Sequence, residues 1–231
     1  MNTKSLLEFE KTIGFAFINK NLLEQSFIHR SYINEHPQLG KEHNERLEFL
    51  GDAVLELVVT QYLYKKYPGT PEGQLTAYRS ALVRTESISE AALNLGVNDY
   101  MFLSKGEARD MGKAREYILA NAFEAIVGSV YLDQGFERAE EFITNTLLHK
   151  IDVIVKKGLW RDAKSFVQEK AQEIFSVTPT YKVMSEIGPD HDKEFTIAIM
   201  FGDDIVTTGE GKSKQEAEQK AARNALEKYS W

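Results

Sequence analysis

The sequence predicts an all-α domain followed by a small α+β domain of order α-β-β-β-α. Up to about Val155 the apolar residues recur at helical spacing, and we find no alternation typical of strands. After Lys156-Lys157-Gly158 the pattern changes to a helix, three strands and a final helix within about 70 residues. We therefore predict a first domain at 1–155, a linker at 156–162 and a second domain at 163–231.

Six segments of the first domain have apolar residues spaced as on one face of a helix. The breaks between them contain glycine or proline, for example at Pro68–Gly73 and at Gly135. The predicted helices are Leu6–Phe17, Lys20–Ile28, His43–Tyr67, Gly73–Asn94, Ala114–Leu132 and Arg138–Lys150.

The second domain begins with a predicted helix at Ala163–Phe175. A final helix is predicted at Ser213–Tyr229, because Ser213 followed by Glu216 is a capping box. Alternating apolar residues between the two helices predict three strands, at Tyr181–Ile187, Glu194–Phe201 and Asp204–Glu210.

The composition of the 231-residue chain, 42% hydrophobic and 27% charged, is that of an ordinary globular protein. Charges interrupt the apolar runs well short of the roughly 20 residues of a membrane span. Glu8, Glu10 and Lys11 lie where a signal peptide needs an apolar core. The absence of cysteine excludes disulfides, thiolate zinc sites and cysteine nucleophiles. We therefore expect a cytoplasmic protein with no membrane partner.

The net charge of −7 by itself argues against a nucleic-acid partner, because phosphates bind to clustered lysine and arginine. Net charge is a blunt measure, however. A local basic face can be hidden within an acidic total.

The predicted helix at His43–Tyr67 has an acidic stripe, which the 3.6-residue turn places on one side. A solvated acidic face is the simpler interpretation. Two details weaken it, since like charges at this spacing repel and Phe49 lies among them. The stripe contains Glu45, Glu48, Asp52 and Glu56, and the opposite side contains Leu47, Leu50, Val54, Leu57 and Val58.

The segment YILANAFEAIVGSVYL is apolar on nearly every side, which predicts a buried helix. It nevertheless contains Asn121 and Glu124 on one face. If this helix packs beside the acidic stripe, both residues face Glu48 and Asp52. Several carboxylates cannot stay ionised together without a cation, and oxygen ligands without cysteine or histidine favour Mg²⁺ or Mn²⁺. Such a site points to phosphoryl-transfer chemistry, although a buried ion pair or a protonated Glu124 is the alternative.

The residues at this point resemble a known family. NERLEFLGDAVL at Asn44–Leu55 resembles the signature of the ribonuclease III endonuclease domain. Other recurring segments of that family are matched in the same order by Phe27–Tyr32, Pro71–Val83 and Leu119–Phe136. The C-terminal domain is similar to a double-stranded-RNA-binding domain.

The resemblance implies an all-helical endonuclease domain that forms a homodimer and hydrolyses phosphodiesters in double-stranded RNA. We expect one site in each subunit, 5′-phosphate and 3′-hydroxyl ends, short 3′ overhangs, and a role in processing rRNA precursors and mRNA. The implied cofactor is Mg²⁺, with Mn²⁺ as a substitute. By position, the implied metal ligands are Glu48, Asp52, Asn121 and Glu124; the implied catalytic residues are Glu45, Asp52, Glu72 and Glu124; and Phe49 is implied at the dimer interface.

The chain departs from the family at Asn121, where the family usually has aspartate. Asparagine keeps a carbonyl oxygen but removes a negative charge and cannot accept a proton. Three interpretations stay open: a tolerated natural variant in an active enzyme, which we favour, an engineered change that traps substrate, or a chain that has become an RNA-binding protein. Intact carboxylates at Glu45, Glu48, Asp52 and Glu124 argue against the last.

Beside an endonuclease and an RNA-binding protein, a carboxylate-bridged di-iron bundle is a third hypothesis, because such proteins also have paired carboxylates on helices. That class, however, requires Glu-x-x-His pairs. Glu45, Glu48 and Glu124 are followed at the third position by Glu48, Gly51 and Val127, so we discount this class.

Three segments of the second domain are expected to contact RNA by its shape, across two minor grooves and the intervening phosphates. The first helix presents residues that match the family's contact positions, and a loop between strands follows. The start of the last helix adds lysines to the positive end of the helix dipole. The expected contacts are Ser165, Gln168, Glu169, Pro189, His191, Lys212, Ser213 and Lys214.

Overall fold

A computed structural model describes residues 5–110, 112–189 and 193–231. The chain forms two compact units, divided between Trp160 and Arg161. The first unit is helical and the second contains a three-stranded sheet, so the predicted fold class is confirmed. Trp160 lies within the predicted linker, but its ring packs edge-on against Tyr78 in the first unit. The predicted limits of the domains stay a prediction.

Eight α-helices are described in the first unit, and the two longest, α4 and α7, pack along each other. Helix α7 is buried on most sides, as its apolar sequence predicts, and the side chains of Ala122, Phe123 and Ile126 are inaccessible to solvent. The helices are α1 (Leu6–Ile13), α2 (Lys20–Ser26), α3 (Arg30–Glu35), α4 (Glu45–Lys66), α5 (Glu72–Val83), α6 (Thr85–Asn94), α7 (Lys113–Thr146) and α8 (Ile151–Lys156).

The helices differ from the prediction at Arg84 and in two additional short helices, and they agree with it at Gly135. The predicted helix Gly73–Asn94 is two helices, because Arg84 has an extended backbone with φ −66° and ψ 150°. The prediction of a break at Gly135 is correct, since this residue has a φ of +83° inside α7. The short helices α3 and α8 were not predicted, because six residues are too few to show a helical period.

The second unit contains α9 (Ala163–Phe175), β1 (Thr180–Ile187), β2 (Glu194–Phe201), β3 (Asp204–Gly211) and α10 (Lys214–Tyr229). The strands form an antiparallel sheet in the order β1-β2-β3. The core includes Val167, Ile199 and Ala222, so both helices cover one face of the sheet. Ser213 caps α10 by accepting a hydrogen bond from the Glu216 amide at 3.2 Å, as its capping box predicts.

Within the described ranges, we find no helix long and apolar enough to cross a membrane.

Candidate active site

Helices α4 and α7 cross with their backbones in contact at Gly51 and Gly128, which are both buried. A Cβ atom added to Gly51 would lie 1.7 Å from the backbone oxygen of Glu124. A Cβ atom added to Gly128 would lie 2.2 Å from the backbone oxygen of Leu47. Only glycine permits so close an approach, so these two residues fix the position of α4 on α7.

The crossing brings three of the four predicted metal ligands close together. Glu48 and Asp52 flank Gly51 on α4, and Glu124 lies on the turn of α7 that faces Gly51. Asn121 lies one turn before Glu124 on the same helix. Burial raises the pKa of Glu124 to about 8, with further contributions from the negative charges of Asp52 and Glu48. Burial also raises the pKa of Glu48, with contributions from Glu45 and Asp52. The carboxylates therefore interact electrostatically, as the sequence predicts.

The acidic stripe of α4 is paired with cations at its ends and unpaired in its middle. At one end, Glu45 lies 3.5 Å from the Arg30 guanidinium. At the other end, Glu56 lies 3.7 Å from the Arg79 guanidinium. In the part of the chain that the structure describes, no hydrogen bond or ion pair satisfies the side chains of Glu48, Asp52, Asn121 and Glu124.

The donor set of this group fits a hard divalent cation. In residues 5–110, 112–189 and 193–231, no three acidic, histidine or cysteine side chains lie close enough to enclose a metal ion alone. Like charges hold carboxylates apart, and Mg²⁺ uses only one or two of them beside water and phosphate oxygens. An open group of three carboxylates and one amide is therefore compatible with Mg²⁺.

Glu45 and Glu72, the other two predicted catalytic residues, are exposed at the first positions of α4 and α5. Glu45 contributes to the raised pKa of Glu48. Glu72 contributes to neither raised pKa, and its Oε1 accepts a hydrogen bond from the Thr76 hydroxyl at 3.1 Å. Glu45 thus borders the group, and Glu72 is not brought into it.

The side chain of Phe49 on α4 is 82% exposed, and other large apolar side chains of the same helix are exposed as well. Leu57 and Tyr64 are also exposed, by 56% and 74%, and their spacing places all three along one side of the helix. The prediction that Leu57 lies on the buried side is therefore wrong. We call Phe49, Leu57 and Tyr64 the apolar stripe of α4. The intervals of eight and seven residues place the three on one side of the helix, but they do not show that this side is exposed.

Asn44 is a positioning residue that sequence reasoning missed. Asn44 is only 2% exposed. Its side-chain Nδ2 donates to the Ser26 carbonyl at 3.1 Å, and its backbone N–H donates to the Ile28 carbonyl at 2.9 Å. An asparagine before a helix usually caps it, but this side chain makes no capping hydrogen bond. It anchors the beginning of α4, and with it Glu45 and Glu48, to the end of α2.

Most of the predicted RNA contacts are exposed in the second unit. Ser165, Gln168 and Glu169 lie on the open side of α9. Lys212, Ser213 and Lys214 lie at the beginning of α10, where Nζ of Lys214 is 5.7 Å from the centre of the Phe195 ring at the start of β2. Pro189 is exposed, and His191 lies outside the described residues.

Comparisons with known proteins identify the family of both units. The Ribonuclease-III-like family matches residues 19–151, and the double-stranded RNA binding motif matches residues 163–229. The chain belongs to the ribonuclease III family. It is an endoribonuclease with a double-stranded-RNA-binding domain, which confirms the resemblance seen in the sequence.

The relatives of this ribonuclease III chain match almost its full length. Ribonuclease 3 of a Nitratiruptor species is 41% identical over 223 residues, which cover 96% of this chain and 96% of the relative. Ribonuclease 3 of Bdellovibrio bacteriovorus is 45% identical over 219 residues, which cover 94% and 93%. A crystal structure of the nuclease domain of ribonuclease III from Campylobacter jejuni is 37% identical with a TM-score of 0.56, covering 65% of this chain and 95% of that domain.

The helix crossing can be tested by adding a single methyl group. We expect Gly51→Ala to lower the free energy of unfolding by about 3 kcal/mol, the upper part of the range for overpacked cores. Urea unfolding of the purified chain measures this change. Gly73→Ala is the matched control, because a Cβ atom at Gly73 meets nothing within 4 Å. Equal stability of the two variants would contradict the contact between the helices.

The raised pKa of Glu124 predicts how stability depends on pH in the presence of EDTA. The folded chain holds a proton on Glu124 up to a pH of about 8, whereas the ordinary pKa is 4.5. The folded state thus binds more protons than the unfolded state between these values, so stability falls as pH rises through this interval. Urea unfolding at a series of pH values measures the fall.

We expect Glu124→Gln to remove this part of the pH dependence. The control is Glu227→Gln, because Glu227 is an exposed residue of α10. A pH dependence that is identical in Glu124→Gln and the unsubstituted chain would mean that Glu124 is not a buried carboxyl group.

Proposed function

We propose that this enzyme cleaves both strands of double-stranded RNA with Mg²⁺ held at Glu48, Asp52, Asn121 and Glu124. The single observation that supports this proposal most strongly is the half-buried carboxyl group of Glu124, which faces Asp52 and Glu48 without a cationic partner in the described residues. A buried carboxylate is unfavourable unless it is paired, and the neighbouring acids increase that cost. A divalent cation bound beside Glu124 would offset both the cost of burying its carboxylate and the repulsion from the neighbouring acids.

The residues of this chain have distinct roles in the proposed reaction. When it is bound, Mg²⁺ lowers the pKa of a water molecule and polarises the phosphoryl group. Glu124 gives up its proton when the cation binds, and Asn121 offers a carbonyl oxygen but holds no proton. Glu45 borders the site and orients water or RNA, whereas Glu72 would contact RNA only outside the carboxylate group. Attack of water on phosphorus leaves 5′-phosphate and 3′-hydroxyl ends and needs no 2′-hydroxyl nucleophile.

The second unit supplies the affinity that an acidic site lacks. RNA phosphates are repelled by the acidic stripe of α4, which includes Glu48 and Asp52, until a cation reverses the local charge. Lys212 and Lys214 at the positive end of α10 suit phosphates, and the polar side of α9 suits a minor groove. We propose that this unit holds the duplex and that the helical unit cuts it.

We further propose that the enzyme is a homodimer through the apolar stripe of α4. A solved structure of the ribonuclease III nuclease domain from Campylobacter jejuni shows structural flexibility in a region involved in dimer formation. The stripe begins at Phe49, next to Glu48, so two copies joined there would bring two sites close together. Each site would cut one strand and leave short 3′ overhangs.

The proposed biological role is the processing of rRNA precursors and mRNA in the cytoplasm. A chain without cysteine depends on no disulfide, which suits a reducing compartment. Mn²⁺ is expected to substitute for Mg²⁺, because both are hard cations that accept oxygen ligands.

A second candidate function is an RNA-binding protein with impaired catalysis, and Asn121 favours it. The amide removes one negative charge from the four-residue group and weakens its attraction for a divalent cation. The intact carboxylates of Glu48, Asp52 and Glu124 favour the active enzyme.

Cleavage of a long RNA duplex in Mg²⁺ distinguishes the two functions. We expect the chain to cut, and we expect Asn121→Asp to cut at least as fast, because a fourth carboxylate strengthens the site. If only Asn121→Asp cuts, the second candidate is correct. If neither cuts, the proposed reaction is wrong.

Glu124→Ala tests the metal site within the same assay. We expect cleavage to fall by roughly 100-fold or more, in line with the loss of a metal-site residue, while RNA binding in Ca²⁺ is retained. Glu56→Ala is the matched control, because Glu56 lies on the same stripe but is paired with Arg79. Cleavage by Glu124→Ala at the original rate would remove Glu124 from the site.

Phe49→Asp tests the dimer. A charge placed in an apolar interface is costly, so we expect the variant to be a monomer in light scattering after gel filtration. The control is Leu93→Asp, which changes a leucine on α6 that is 55% exposed. A Phe49→Asp variant that stays dimeric would place the interface elsewhere.

A further inference from the structure

In the second unit, α9 and α10 pack through small side chains. The core between them includes Ala163, Ala171, Ala221, Ala222 and Ala225. Alanine gives a helix only shallow ridges and grooves, and deep ridges are what prevent one helix from sliding along another. Near the first turn of α9, apolar packing therefore sets the register on α10 only weakly. At the far ends of the two helices, the Phe175 ring lies 5.5 Å from the Tyr229 ring and adds an aromatic contact.

A group of polar contacts joins the first turn of α9 to the second turn of α10. Nζ of Lys164 donates to Oε2 of Glu218 at 2.6 Å and lies 4.7 Å from the centre of the Tyr181 ring. Nε2 of Gln219 donates to Oδ2 of Asp162 at 2.8 Å. We call Asp162, Lys164, Tyr181, Glu218 and Gln219 the helix junction.

The helix junction is partly shielded from solvent, although Asp162 is exposed. The side chains of Lys164 and Glu218 are 34% and 26% exposed, so their attraction is screened less than that of a surface pair. Burial raises the pKa of Tyr181, and the negative charges of Glu218 and Asp162 raise it further, so its ring stays neutral under Lys164. Asp162 also caps α9 by accepting from the Ser165 amide at 2.9 Å.

We propose that Lys164 and Glu218 are positioning residues for RNA binding, whose ion pair sets the register between the open side of α9 and the lysines that begin α10. The inference rests on the proposed RNA contacts at Ser165, Gln168 and Lys214. Double-stranded RNA presents its minor groove and the adjacent phosphates at a fixed separation. Two helices bind both features at once only if their relative position matches it.

The substitution Glu218→Gln distinguishes the positioning role of Lys164 from direct contact with RNA, because the two roles predict opposite changes in affinity. If Lys164 contacts a phosphate, Glu218 competes with RNA for it, and Glu218→Gln should tighten binding. If the pair positions the helices, Glu218→Gln should weaken binding. The sign of the change therefore separates the two roles.

The experiment measures the affinity of the full chain for a fluorescent RNA duplex in Ca²⁺ over a series of salt concentrations. We expect Glu218→Gln and Lys164→Met each to weaken binding by roughly 10-fold. The double variant should bind RNA with the same affinity as either single variant, because the two residues act through one pair. The dependence on salt should stay unchanged. Lys164→Arg and Glu218→Asp keep the charges and should restore most of the affinity.

Two controls make the outcome decisive. Glu173→Gln breaks an ion pair of the same 2.6 Å length with Lys170 inside α9, without touching α10, and should bind normally. Lys214→Met removes a proposed phosphate contact, so it should weaken binding and lower the salt slope by about 1.

Tighter binding by Glu218→Gln, with a salt slope lowered by about 1 in Lys164→Met, would overturn the positioning role and make Lys164 a phosphate ligand. Unchanged affinity of Glu218→Gln beside weakened Lys214→Met would overturn this inference alone. Unchanged affinity of both variants would overturn the proposed RNA interface and this inference with it.

Discussion

The contact between the backbones of α4 and α7 at Gly51 and Gly128 is the constraint on which the rest of the first unit depends. It places Glu48 and Asp52 opposite Glu124, and moving the helices apart to relax their repulsion would break the close contact between the backbones. A short, close-packed crossing thus converts two ordinary helix surfaces into a concentrated acidic group. The group is unfavourable by itself, and a divalent cation would make it favourable. Stability of the fold and chemistry of the site oppose each other at this crossing.

The two units carry the two opposite charges that an acidic enzyme needs in order to act on a polyanion. The helical unit concentrates carboxylates, while the second unit presents lysines at the start of α10 and a polar face on α9. The overall charge of −7 hides this division, because it sums an acidic site and a basic helix end. In the second unit, the ion pair of Lys164 and Glu218 supplies the register that alanine packing leaves open. Both units therefore use a few polar or glycine contacts to place functional groups.

The sequence predicts the fold class and the pairing of the acidic residues well, because helical and strand periods are local. Spacing places Asn121 and Glu124 on one face of a helix, and Glu124 lies opposite Glu48 and Asp52 because that helix packs beside α4. The break at Arg84 and the exposure of Leu57 could not be predicted from spacing, since they depend on how neighbouring helices pack. The contact at Gly51 is also a property of two segments distant in sequence. The roles of Asn44, Lys164 and Glu218 likewise depend on partners that no local pattern identifies.

Direct titration of Mn²⁺ into the full chain tests the central claim, that the crossing of α4 and α7 builds a divalent-cation site. Electron paramagnetic resonance reports free Mn²⁺, so bound ions are counted without RNA or cleavage. We predict saturable binding that weakens by roughly 10-fold or more in Glu124→Ala, as expected when a ligand is lost, but not in Glu56→Ala. Binding of equal strength in both variants would contradict the claim.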